Sequence, residues 1–172
     1  MKRVLLAVLL CAAMTHRADA GIADFGWFAD LAGSCWSGTF PDGITRHAHC
    51  YTTQFDRFMR GTARLHGEHA GQPDVDFAGD SVFAWDADAQ RIVYYIWGSD
   101  GSHGRYEAHY EGDELVFPIE SVRRPGTWAY RSVWRRIDDS TLEVRREIPE
   151  GDGWKAQLTV TYHRTAAVDD AE

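Results

Sequence analysis

The chain has 172 residues, 26 acidic and 18 basic side chains, a formal net charge of −8, and 44% hydrophobic and 13% aromatic residues. This composition excludes a disordered chain and a collagen-like chain, and the length leaves room for one compact domain rather than a multi-domain enzyme. Nucleic acid is excluded as a partner because neutralising phosphates needs a basic face. The basic clusters here, such as Arg123-Arg124 and Arg135-Arg136, are short and flanked by acids.

Lys2-Arg3, the apolar run Val4 to Met14 and Ala18-Asp19-Ala20 form the three parts of a secretory signal peptide. Residues 1–20 are therefore expected to be removed, leaving a periplasmic or secreted protein. The apolar run of 11 residues is about half the length of a bilayer-spanning helix, so no membrane span is expected, and the large Leu10 argues against lipid attachment at Cys11. Removal takes away Lys2, Arg3, Arg17 and Asp19 and moves the net charge from −8 to −10. That balance suits a neutral or cationic ligand. Cys35 and Cys50 remain, and an oxidising compartment pairs them; two free thiols are the alternative. They lie almost symmetrically about Pro41-Asp42-Gly43, and closing this loop is worth about 3 kcal/mol in the chain-entropy model. A strict two-residue turn would put both at a hydrogen-bonded pair, whereas Pro41, which cannot donate, points to a longer loop.

Ile22 to Leu31 opens the mature chain with Phe25, Phe28 and Leu31 spaced for successive helical turns. The period then changes to two. Strands are predicted at 34–40, 45–55, 58–66, 76–86, 91–97, 103–111, 114–120, 128–137, 141–147 and 154–164. Between them stand turn sequences such as Ser99-Asp-Gly-Ser102, Glu111-Gly-Asp113 and Asp138-Asp-Ser140. The fold expected is all-β: about ten strands in an antiparallel meander over 21–165, closed into a barrel because an open meander would leave two vulnerable edges. Residues 166–172 are expected to be a disordered tail. A cone-shaped α+β fold is the competitor, but it begins with long helices that this sequence lacks.

Alternation assigns the faces. Trp36, Gly38 and Phe40 share the face opposite Cys35, and His47, His49 and Tyr51 the face opposite Cys50, so an outer disulfide sends both histidines inward. Tyr106, Ala108 and Tyr110 form one inward set, and Trp128, Tyr130, Ser132 and Trp134 another. Trp154, Ala156, Leu158, Val160 and Tyr162 alternate with Lys155 to His163, which puts His163 outside. Strand 91–97 is apolar on both faces. Its outer residues Val93, Tyr95 and Trp97 are covered by the opening helix, by a second copy in a homodimer, or by nothing. Buried phenols and indoles must find partners, so Trp36, Tyr51, Tyr94, Tyr106, Tyr130 and Trp134 with His47 and His49 are the expected ligand-binding residues; a filled core is the alternative. Two imidazoles on one strand face could also hold a metal, but no third ligand stands at a characteristic spacing, and no metal is expected. No nucleophile elbow, phosphate loop or zinc-protease motif is present. Strand alternation puts most acids outside, Glu147, Glu120 and Asp76 being those considered for a pocket, and no catalytic residue is assigned.

Leu31-Ala-Gly-Ser-Cys-Trp-Ser-Gly38, Val82-Phe-Ala-Trp-Asp86, Ile92-Val-Tyr-Tyr-Ile-Trp97 and the ending Trp154 to Arg164 resemble lipocalin-like (calycin-type) barrels. The pattern is similar to a bacterial family of unknown function with a Leu-x-Gly-x-Trp start, itself distantly similar to haem-binding nitrobindins. The resemblance implies a closed barrel and, through nitrobindins, haem held by a C-terminal histidine. The only such residue is His163, which alternation turns outward, and no cofactor is expected. The function these features suggest is an exported barrel holding a small apolar or amphipathic molecule. A cofactor-free lyase or isomerase using a histidine as general base, or a plugged barrel acting as an envelope interaction module, are the alternatives.

Overall fold

The computed structural model describes residues 20–71, 73–121 and 128–166, with side chains for all of these except 119–121, 128 and 129. The expected signal peptide and tail lie outside the described residues, apart from Ala20 and Ala166. Ten antiparallel strands run in chain order: β1 (Ser34–Thr39), β2 (Arg46–Gln54), β3 (Phe58–Gly67), β4 (Val75–Asp86), β5 (Arg91–Gly98), β6 (His103–Glu111), β7 (Glu114–Ser121), β8 (Trp128–Asp138), β9 (Thr141–Glu150) and β10 (Gly153–Thr165). Each pairs with the next, and β10 returns to β1 through Cys35 opposite Thr165, Trp36 opposite Arg164 and Ser37 opposite His163, which closes the barrel. The all-β meander inferred from alternation is the architecture adopted, with strand ends within three residues of those predicted. Phe55, expected as the last residue of the second strand, instead sits in the β2–β3 turn at φ 57 and is exposed.

Aspartates set several of the turns. Asp42 accepts from the Ile44 and Thr45 amides and the Thr45 hydroxyl, Asp86 from the amides of Asp88 and Ala89, and Asp138 from Ser140. These bonds satisfy amides that leave the ladder at each reversal. The first has a further effect. The Phe40 amide donates to the Thr45 carbonyl, so the loop holds four residues rather than two, and five steps along the ladder Cys35 and Cys50 meet at a non-hydrogen-bonded pair. Strands approach most closely at such pairs. The Cα atoms are 3.9 Å apart and the sulfurs form a disulfide. The longer loop is therefore the correct alternative.

The N-terminal segment Ile22–Leu31 is a 3₁₀ helix interrupted at Gly26. Its buried residues Phe25, Phe28 and Leu31 recur every third position, the 3₁₀ repeat. Gly26 has φ 57, and a Cβ there would stand 3.0 Å from the Tyr110 hydroxyl oxygen and 3.2 Å from its ring, so both the kink and the close approach require glycine. The Tyr110 hydroxyl donates to the Phe25 carbonyl at 2.7 Å and accepts from the Phe28 amide. The helix thus plugs one end of the barrel: the Phe28 ring lies 5.1 Å from Phe83 and 5.4 Å from Tyr51, with Phe117 and Trp134 beside it.

One predicted face is corrected. A register shift between Ala156 and Leu158 reverses parity in the first part of β10, so Trp154 and Ala156 face outward while Leu158, Val160 and Tyr162 face inward. Trp154 is 44% exposed and lies under the Arg131 guanidinium. The outer wall of β7–β9 carries a charge lattice in which Arg145 binds Glu114, Glu143 and Glu147 and Arg131 binds Glu111 and Glu147. Burial alone would raise the Glu147 pKa, but hydrogen bonds from Arg131 and Arg145 outweigh it and hold the carboxylate below its usual range. Glu147 therefore stands outside the barrel, paired, and Asp76 is exposed. Glu120 lies outside the residues with described side chains.

Candidate functional site

Above the plug the barrel interior holds a cavity of about 440 Å³, open at the opposite end. Its floor is Tyr51, Phe83, Phe117 and Trp134, the rings that rest on Phe28. The middle layer carries His47, His49, Tyr94 and Tyr162. By strand register the rim is formed by Phe40, Leu65, Phe77, Ile96, Tyr130 and Arg146.

The disulfide on the outer face and the four-residue loop fix the parity of β2, and with it the inward direction of both imidazoles. Their ring centroids are 4.1 Å apart. His47 Nδ1 and the Tyr162 hydroxyl share a hydrogen bond of 2.7 Å. His49 lies parallel to Tyr51 at 6.0 Å and edge-on to Trp134 at 5.4 Å. Gly38, opposite His47 across the ladder, makes this layer close: a Cβ there would stand 2.7 Å from the Thr161 carbonyl oxygen and from Val160 Cγ1. Trp134 donates its indole N–H to Ser132 at 2.9 Å.

Burial governs the charge state. It lowers the His47 pKa to about 4, and burial followed by the charge of His47 takes His49 well below its ordinary value. Burial also raises Tyr51, Tyr94 and Tyr162, the neighbouring phenols adding to the effect for Tyr51 and Tyr94. At neutral pH the imidazoles are uncharged and the phenols protonated, so the inner layer is polar without charge. Arg146 differs. It alternates with Leu142 and Val144 on the inward face of β9 and places its guanidinium carbon 4.2 Å over the Tyr130 ring.

Six of the eight residues singled out from sequence line this one cavity: His47, His49, Tyr51, Tyr94, Tyr130 and Trp134. The other two do not. Trp36 is enclosed on the inward face near the plug, with the Arg164 guanidinium 5.4 Å over its ring and its indole N–H without a partner among the described residues. Tyr106 is stacked on Tyr94 at 5.5 Å. Sequence reasoning passed over Arg146, Ser81, Ser132 and Phe77; alternation within their own strands would have found each. Among the described residues no group of three or more His, Cys, Asp or Glu gathers as a metal site. His163, the residue the nitrobindin resemblance makes a haem ligand, is exposed and lines a groove on the outer wall with Ser37, Thr39 and Arg46. That position does not fit a haem held inside the barrel. Neither the protein-family models nor the curated proteins searched match this chain.

Proposed function

We propose that the protein is an exported binding barrel that holds one small, largely apolar molecule in the cavity above the plug. The observation that carries this reading is the cavity itself: about 440 Å³, walled by aromatic and aliphatic side chains, with a few convergent polar groups and one open end. Volumes of this order, with mostly apolar walls and few polar anchors, are typical of small-molecule sites. His47, His49, Tyr94 and Tyr130 are the proposed orienting groups. The lyase or isomerase alternative is less well supported, because a general base works best with a pKa near the operating pH, whereas burial leaves His47 at about 4. For the plugged-barrel alternative one half of the requirement is present: Tyr95 and Trp97 stack on each other on the outer wall and are 44% and 51% exposed. They are also the surface a homodimer would use. The other half, a filled interior, is not supported by the cavity.

Native mass spectrometry of protein purified from its own host, with thermal melting across a hydrophobic ligand library, tests the proposal. A ligand at 100 times its Kd should add about 2.7 kcal/mol, a Tm rise of roughly 5–10 °C at this chain length. The absence of both a co-purifying molecule and any rise would overturn it. Export is checked by the mass of the mature protein, which should begin at Gly21; a mass including Met1 would refute that part.

A further inference from the structure

We infer that the ligand of this cavity is an amphipathic anion, an apolar body carrying a carboxylate or comparable oxyanion that is bound by Arg146 at the rim. The inference rests on the binding reading above and names its substrate class. Arg146 lines the cavity, and its Nε is buried with no hydrogen-bond partner among the described residues. The contrast with its neighbour is sharp. Arg145, one residue earlier and therefore on the outer wall, is bound to three carboxylates, while Arg146 forms no ion pair among the described residues and has one contact to its charge, the ring of Tyr130. A cation–π contact occupies none of the five N–H donors of a guanidinium. Ser132, opposite Arg146 across the β8–β9 ladder, already takes the indole N–H of Trp134.

A buried donor without an acceptor is costly and uncommon in native proteins. An acid from the ligand would pair with the terminal N–H groups of the guanidinium, whose planar fork matches a carboxylate in two-point geometry. The remaining walls say where the rest of the molecule goes. Asp80 also borders the cavity but is exposed and pairs with the outward-facing Trp97; the uncharged imidazoles and phenols of the middle layer, and the aromatic floor beneath them, accept an apolar body. The anion therefore sits at the rim, with its body directed toward Phe83 and Trp134.

The test compares matched probes on two apolar bodies: decanoate, decan-1-ol and decylamine, and 2-naphthoate, 2-naphthalenemethanol and 2-naphthylmethylamine. Binding is measured by calorimetry at pH 7.5 to wild type, Arg146→Gln and Arg146→Lys. With at least one body, the acid should bind wild type roughly 10- to 100-fold more tightly than the alcohol, as expected for a charge-assisted pair, and the amine most weakly. Arg146→Gln should bring the acid's affinity down to the level of the alcohol's, with near-ultraviolet circular dichroism reporting an intact barrel; Arg146→Lys should keep part of the acid's advantage. Alcohol or amine binding as tightly as the acid, or an acid preference that survives in Arg146→Gln, would overturn the anion assignment and leave the binding reading standing. No binding of any of the six probes to wild type would overturn both.

Discussion

Replacing His47 by glutamine isolates the stability that a buried neutral imidazole brings to the barrel. His47 is enclosed by Phe40, His49 and Tyr162, and burial lowers its pKa to about 4 from an unfolded value near 6.5. Between those values the unfolded chain takes up a proton that the folded chain excludes, so the stability is fully present above pH 6.5 and is lost as the pH falls toward 4. The linkage amounts to about 2 kcal/mol at pH 5 and about 3 kcal/mol below pH 4. Urea unfolding of wild type and His47→Gln at pH 7.5 and 5.0, followed by tryptophan fluorescence, measures it. Carboxylate titrations occur in both proteins and cancel in the comparison. His49 shifts in the same direction in both, and losing the charge of His47 brings it nearer its ordinary value in the variant, which enlarges the difference. Wild type should lose about 2 kcal/mol more than the variant between the two pH values. Equal losses would refute the claim that His47 is held neutral by burial.

Removing the disulfide by Cys35→Ala with Cys50→Ala should cost about 3 kcal/mol for a separation of 15 residues, a Tm lower by roughly 6–12 °C; a calorimetric loss under about 1 kcal/mol would contradict the loop-closure account. Phe28→Ala removes the ring on which Tyr51, Phe83, Phe117 and Trp134 rest and should cost about 3–5 kcal/mol in chemical denaturation. A near-neutral result there would mean that the helix does not plug the barrel. Gly38→Ala forces a methyl group against the Thr161 carbonyl and Val160 and should cost about 1–3 kcal/mol. Gly153→Ala, whose nearest neighbour would be 3.9 Å away, should change stability by no more than about 0.5 kcal/mol, and equal effects at the two positions would refute the steric argument.

Most of the barrel was legible because alternation and turn chemistry agree: most strands keep period two, and Asp42, Asp86 and Asp138 supply the acceptors that reversals need. The direction of His47 and His49 followed from one further step, the placement of Cys35 and Cys50 on the opposite face. What failed did so for identifiable reasons. Trp154 to Leu158 alternates without a break, so nothing local announces the register shift that turns Trp154 outward. The short helix expected at Ile22–Leu31 is present, its type being the 3₁₀ helix whose repeat of three Phe25, Phe28 and Leu31 follow. Trp36 and Tyr106 do have inward positions, but facing inward is not the same as lining a void. At the plugged end inward side chains fill the interior, and Tyr106 packs on the neighbouring Tyr94 instead.

Arg146 exposes the limit of arguing from net charge. A net charge of −8, or −10 on the expectation that residues 1–20 are removed, suggests a neutral or cationic ligand, but that argument counts charges on the outer wall, which salt screens over about 8–10 Å and which in large part neutralise one another. Arg131 and Arg145 are consumed there by Glu111, Glu114, Glu143 and Glu147. Inside, the guanidinium of Arg146 stands against aromatic walls where screening is weak and each charge counts for more, whereas Asp80 borders the cavity from an exposed position. The sign of the ligand on this reading is therefore set by one residue on the minority face of a strand rather than by the sum over the chain. The pattern Leu142, Val144, Arg146 recorded that residue in the sequence, as a cation where alternation calls for a hydrocarbon.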